Sequence, residues 1–251
     1  MGKIWAIGDL HLAVSTPGKE MDFFGGAWMD YTRKIEENWK AVVGADDLVL
    51  VPGDISWALK LQDAVRDLEW LDKLPGTKLM IRGNHDLWWG SISQVRAALP
   101  PSMHVLQNDI FKWNEFEIGG ARLWDTPEYS YSRFVTLSYN PRAVEKNEDS
   151  THAAVEAEKI FVRELGRLET SLKLFKGTKR LAMVHYPPIG PDLAPSRASA
   201  LLEKYHVQTC LFGHIHQVPP NAIPMGTARG VTYHLTSADY LDFKPLFILT
   251  P

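Results

Sequence analysis

The sequence predicts an α/β fold with mainly parallel central strands, and three observations lead there. Short runs rich in Val, Ile, Leu and Met recur along the chain. Stretches with apolar residues at helical spacing separate them. The runs end, one after another, in Gly, Asp, Asn or His. Strands alternating with amphipathic helices are the pattern of a parallel sheet covered by helices.

Taken in order, Ile4 to Ile7, Leu48 to Val51, Lys78 to Ile81, Leu181 to Val184 and Val207 to Phe212 read as buried strands. Tyr31 to Val43, Leu61 to Leu74 and Ser91 to Leu99 read as helices. In the second of these, Leu61, Val65, Leu68, Leu71 and Leu74 make one stripe, and Pro75-Gly76 ends it. Met103 to Leu106, Phe116 to Ile118 and Arg122 to Trp124 read as strands, the last two joined by a Gly119-Gly120 hairpin turn. An irregular insertion follows at about 125–150, polar and aromatic, with Pro127 and Pro141 inside it; a loop that long is usually functional or mobile. Thr151 to Phe175 reads as a long helix, and Thr232 to Ser237 and Lys244 to Thr250 as closing strands. No repeat or linker divides the chain, so one domain over residues 1–251 is expected.

Composition narrows the function classes. A net charge of −3 and a pI near 6.3 give no electrostatic reason to expect a nucleic-acid partner. The single cysteine, Cys210, cannot form an intrachain disulfide and sits in an apolar run, where a buried inert thiol is expected. Asp9 and His11 interrupt the opening apolar stretch, which argues against a signal peptide. No segment approaches the roughly 20 apolar residues of a membrane span. A cytoplasmic protein is expected.

The polar strand ends carry the chemistry. They read Gly8-Asp9-Leu10-His11, Gly53-Asp54, Gly83-Asn84-His85-Asp86, His185 and Gly213-His214-Ile215-His216. In open α/β sheets ligands bind beyond the carboxyl ends of the strands, so all five clusters aim at one edge. Asp9 and His11 are two apart, as are His214 and His216, so on an extended chain each pair points the same way. The glycines allow tight turns and close backbone approach. A lone histidine on an apolar strand is more often a satisfied core residue, but five of the nine histidines fall in these clusters. Buried together, such Asp, Asn and His side chains need cations to neutralise them, and the donor set suits Mn, Fe or Zn.

This ordered series resembles the calcineurin-like metallophosphoesterase superfamily over most of the chain, Asp9 to His216. The resemblance implies a β-sandwich of two mixed sheets flanked by helices, a four-layer αββα arrangement. It implies two divalent or trivalent metal ions, manganese first, with iron or zinc as the other candidates. Asp9, His11 and His216 would hold one ion, Asn84, His185 and His214 the other, and Asp54 would bridge them. His85 would be the catalytic acid, with Asp86 as its orienting carboxylate. The implied reaction is hydrolysis of a phosphodiester, pyrophosphate or phosphomonoester by metal-bridging hydroxide attack, on a small phosphate-ester substrate. The alternatives are a metal-dependent nuclease, which would need a basic groove, and a non-catalytic binding scaffold, which would be expected to lack ligands. Substrate and oligomeric state are not legible.

Weaker features remain. Trp57, Trp88 and Trp89 read as packing the helix starts against the sheet in preference to walling a pocket. Met21 to Met29 reads as a flap or a packed loop. Tyr129, Tyr131, Arg133 and Arg142 lie in the insertion, and Arg82 beside the Asn84 turn; any of the arginines could reach a phosphate, though a solvated charge is the plainer reading.

Overall fold

The computed structural model describes residues 2–135, 150–219, 222–223 and 225–250. Pro141 and Arg142 fall outside them. The first half lays down β1 (Ile4–Ala6), α1 (Tyr31–Val42), β2 (Leu48–Val51), α2 (Leu61–Asp72), β3 (Thr77–Met80), α3 (Ile92–Ala98) and β4 (Met103–Val105). The second half adds β5 (Phe111–Trp113), β6 (Phe116–Ala121), α4 (Ser150–Leu172), β7 (Lys179–Val184), α5 (Arg197–Lys204), β8 (Thr209–Phe212), β9 (Thr227–Ala228), β10 (Val231–Leu235) and β11 (Leu246–Leu249).

Two mixed sheets result. One has the order β11-β1-β2-β3-β4, with β1 to β4 parallel and β11 antiparallel at the edge. The other runs β5-β6-β7-β8-β10-β9, with β6, β7, β8 and β10 parallel and an antiparallel strand at each edge. Ile4, Leu48, Leu79, Phe116, Leu181 and Leu211 form the apolar layer between the sheets. Their strand neighbours face outward: Val49 and Met80 pack with Ile35, Trp39 and Leu68 of α1 and α2. Val184 and Phe212 pack with Leu168, Leu172 and Leu202 of α4 and α5. Side chains alternate across a strand, so a run that is apolar at every position is covered on both faces. The expected four layers are present.

One turn expectation is corrected. Gly119 and Gly120 lie inside β6, and the hairpin joins β5 to β6 through Asn114-Glu115, with Asn114 at φ 52°. The glycines are needed for proximity. A Cβ on Gly119 would come within 2.9 Å of the Phe175 ring and of Ser171 Oγ, and one on Gly120 within 1.9 Å of the Met183 carbonyl. Arg122 to Trp124 is not a strand. Helix α5 was not legible: it has eight residues, and its start is set by Ser196 and Ser199, each side chain accepting the other's backbone N–H.

The rims of the two sheets are laced together. Gly8 N donates to Thr236 O at 2.7 Å, and Ala238 N donates to Gly8 O at 3.0 Å. Strand ends from both sheets therefore deliver their loops to one place. Among the described residues no helix is long and apolar enough to cross a membrane.

Candidate metal centre

Five loops meet at that rim. Asp9 and His11 follow β1, Asp54 follows β2, Asn84 and His85 follow β3, His185 follows β7, and His214 and His216 follow β8. The expected route differs in detail. Asp9, His11, Asp54 and His214 have φ of 54°, 46°, 51° and 71°, so the chain turns through left-handed conformations rather than running on as extended strand. Such backbone costs energy in non-glycine residues and clusters at functional sites. The preceding glycines make room. A Cβ on Gly83 would lie 2.0 Å from Asp54 Oδ1, one on Gly213 2.3 Å from Asp9 Oδ2, and one on Gly53 2.7 Å from His185 Nδ1.

Two donor groups form. Asp9, His11 and His216 offer atoms that all lie within 4.8 Å of one another, and so do Asp54, His185 and His214. His11 Nε2 and His216 Nε2 are 3.2 Å apart. Asn84 Oδ1 is 2.6 Å from His185 Nε2 and 2.9 Å from His214 Nδ1. Ligand atoms about 2.0–2.2 Å from one cation, at right angles, would be about 3 Å apart, so these spacings suit coordination.

The surrounding contacts fix which ring nitrogens face inward. His185 Nδ1 lies 2.9 Å from Pro52 O, which takes its proton and leaves the Nε2 lone pair toward Asn84 Oδ1. Burial, aided by neighbouring histidines and Arg122, pushes the His185 pKa down to about 3, so the ring is neutral. Two lone pairs then face each other, an arrangement a cation between them would reconcile. Burial also drives His11 and His214 down. Asp9 is fully buried and accepts the His214 N–H; desolvation, with Asp54 adding to it, pushes its carboxyl up to about 8. Asp54 is raised by the same desolvation. Its Oδ1 accepts the His85 N–H at 2.8 Å, and its Oδ2 is buried with no hydrogen-bond partner. That oxygen lies 3.4 Å from His185 Nε2 and 3.8 Å from His11 Nε2, between the two groups.

His85 is half-buried at the same rim, its ring 4.4 Å from Trp57 and 5.5 Å from His11. The Asp86 expectation needs correction. Its carboxylate accepts the backbone N–H groups of Ile55, Ser56 and Gly83 and the Trp88 indole N–H, at 2.8 to 3.1 Å. It staples the Asp54 loop to the Asn84 loop, and among the described residues it makes no hydrogen bond to His85.

Trp88 and Trp89 are buried and pack in the first-sheet core, as expected, whereas Trp57 stacks on His11 at 4.9 Å and does wall the site. Met21–Phe24 and Gly26–Trp28 form two short 3-10 turns, and Trp28 is buried with its ring 5.7 Å from His216, so this segment is a packed loop. Arg82 lines a separate small cavity with Arg122, Glu164 and Arg167. Tyr129 and Tyr131 anchor the insertion by donating their hydroxyls to Pro187 O and Ile189 O, and Arg133 packs over Phe134.

Sequence reasoning missed Asp239 and Tyr186. Asp239 Oδ1 is 2.9 Å from His216 Nδ1, and although burial opposes protonation, Asp239 with Asp9 and Asp54 holds His216 up to about 9. The Tyr186 ring lies 3.9 Å from the His214 ring. Asp239 follows the β10 strand end, where the rule that found the other clusters applies equally.

Comparisons with known proteins bear on the family and the fold. Gene 66 proteins of Mycobacterium phages D29 and L5 are 34% and 31% identical over 86 residues, which is 34% of this chain and 41% of each phage protein. The chain thus matches less than half the length of these relatives. A phosphopantetheinyl hydrolase from Mycobacterium tuberculosis shares the fold, with a TM-score of 0.60 at 15% identity, covering 100% of this chain and 96% of that one. A family model for calcineurin-like phosphoesterases matches residues 2–218, and the chain belongs to that family.

Proposed function

We propose that the chain is a dinuclear metal-dependent phosphoesterase, hydrolysing a small phosphomonoester, phosphodiester or pyrophosphate. Asp9, His11 and His216 would hold one cation and Asn84, His185 and His214 the other, with Asp54 shared between them. The observation that carries this reading is Asp54 Oδ2, buried and without a hydrogen-bond partner, 3.4 Å from His185 Nε2 and 3.8 Å from His11 Nε2 of the other group. An orphaned buried carboxylate oxygen is costly, and a site filled by two cations removes the cost. Bound there, a pair of divalent ions such as manganese, iron or zinc supplies charge stabilisation at the phosphoryl oxygens and a water of lowered pKa.

The protein's own groups do the rest. Pro52 O and Asp239 fix the ring orientations of His185 and His216, so both turn Nε2 toward the cluster, His216 once its proton has left. The left-handed turns at Asp9, His11 and Asp54 hold the donors before any ligand arrives, so little reorganisation accompanies binding. His85, half-buried beside Asp54, would give a proton to the departing oxygen.

The test is metal content set beside turnover. Stripped protein reloaded with manganese should hold two equivalents and hydrolyse 4-nitrophenyl phosphate or bis(4-nitrophenyl) phosphate. Asp54→Ala should lose both equivalents and all turnover. An Asp54→Ala protein that keeps two metals would overturn the shared-ligand assignment.

A further inference from the structure

A pocket of about 670 Å³ opens against His214, one of the donor residues just described. Its walls include Trp124, Asp125, Tyr129, Tyr186 and Ile215. Tyr186 is buried against the His214 ring, and Trp124 stands 5.0 Å from Tyr186 with the planes tilted by 43°, so a run of aromatic surface leads away from the donor cluster. The Tyr129 and Tyr131 hydroxyls are spent on Pro187 O and Ile189 O. What these two rings offer the pocket is ring surface.

The charge of the pocket is one-sided. Asp125 stands at its mouth, and among the described residues its carboxylate has no ion-pair or hydrogen-bond partner and no lysine or arginine lines the walls. Arg122 packs its guanidinium over the Trp124 ring at 4.6 Å, but it does not line the pocket and is paired with Glu164 at 3.3 Å. A nucleotide chain or a pyrophosphate would bring a further phosphate into this pocket, beside a carboxylate that no lysine or arginine faces among the described residues. Like charges there are repulsive, whereas an ammonium or an N–H donor gains a charge-assisted contact.

We propose that this pocket is the leaving-group subsite, taking the ring-bearing organic part of a phosphate monoester that carries a cationic or hydrogen-bond-donating group and no second phosphate. The proposal rests on the phosphoesterase reading and adds the substrate class to it. Trp124 and Tyr186 supply the apolar faces, and Asp125 selects the sign of the charge.

Three aryl esters of similar size test it on the manganese-loaded full chain: 4-(aminomethyl)phenyl, 4-nitrophenyl and 4-carboxyphenyl phosphate. The KM should be lowest for the aminomethyl ester and highest for the carboxy ester. In Asp125→Asn the KM ratio between those two should shrink about fivefold, the size of one partly exposed charge contact. In Asp125→Lys the order should invert. Trp124→Ala should raise KM for all three by about tenfold with metal content intact. Because each variant is compared with itself across esters, a general loss of activity cancels from the ratio. Turnover of all three with a ratio indifferent to residue 125 overturns the subsite and leaves the phosphoesterase reading standing. Turnover of bis(4-nitrophenyl) phosphate with none of the three monoesters overturns the subsite alone, and no turnover of any of the four by the loaded protein overturns both.

Discussion

Asp239 holds His216 by its ring: the carboxylate Oδ1 sits 2.9 Å from Nδ1, while Oδ2 accepts the Gln217 N–H at 2.8 Å. One side chain thereby fixes both the tautomer of a proposed ligand and the loop that carries it. Outer partners of this kind are worth about 10–100-fold in metal affinity. Asp239→Ala should weaken the Asp9, His11 and His216 group by about that factor and leave the Asp54, His185 and His214 group within about threefold. A manganese titration that resolves two affinities reads this directly. Equal weakening of both would mean that Asp239 supports the rim as a whole.

Asp86 should act on the fold. Asp86→Ala orphans three backbone N–H groups and the Trp88 indole, all buried. At about 1 kcal/mol for each lost partner the four together cost about 4 kcal/mol. A protein of this length should then melt about 6–12 °C lower, toward the upper end of that range. Thermal unfolding of the metal-loaded variant measures it. A variant with unchanged melting and lost turnover would restore Asp86 to a direct part in the chemistry.

The sequence carried the donor set because that chemistry is local: each strand end names its own polar residue, and Asp9, His11, Asp54, Asn84, His185, His214 and His216 all reach one rim. It could not carry backbone sign. Asp9 and His11 looked like alternating strand residues, yet both sit at positive φ, which the Asp-x-His spacing does not encode. Gly119 and Gly120 misled for a related reason. A glycine kept for a turn and one kept for close packing are the same letter, and only Ser171, Phe175 and Met183 across the gap tell them apart. The true partner of Asp86 was equally hidden, since Ile55 and Ser56 lie some thirty positions earlier in the chain, at separations of 31 and 30.

Filling the site should release protons. In the metal-free protein Asp9 is pushed up to about 8 and His216 to about 9, so both hold protons at neutral pH, while His185, near 3, does not. A cation needs their lone pairs, so about two protons should leave on binding at pH 7, and affinity should climb toward pH 9. Stability follows the same sign. Both folded-state values lie above the ordinary 3.8 and 6.5, so the stability these groups give is full below those values and lost as pH rises through about 8 and 9. Metal-free protein should therefore melt progressively lower from about pH 6.5 to 9, and manganese should flatten that slope. Calorimetry in two buffers of different ionisation enthalpy counts the protons. Identical heats in both would sink the prediction.

Substitution of His85 should separate binding from turnover. Its ring leans on Trp57 and its backbone N–H is held by Asp54, so it is placed by the donor cluster without belonging to either ligand group. His85→Ala should keep both manganese equivalents and lose about 10²–10⁴ in kcat, the usual worth of a positioned acid. The loss should be larger for an alkyl phosphate than for 4-nitrophenyl phosphate, because a nitrophenolate departs with little need of a proton. Equal losses on both esters would point to a role in binding the phosphate, and loss of metal would make His85 a ligand. Trp57→Phe keeps a ring against the imidazole and should cost much less than the histidine itself. The pair of variants therefore tells a proton donor from a packing residue: only the donor's effect scales with how badly the leaving oxygen needs its proton.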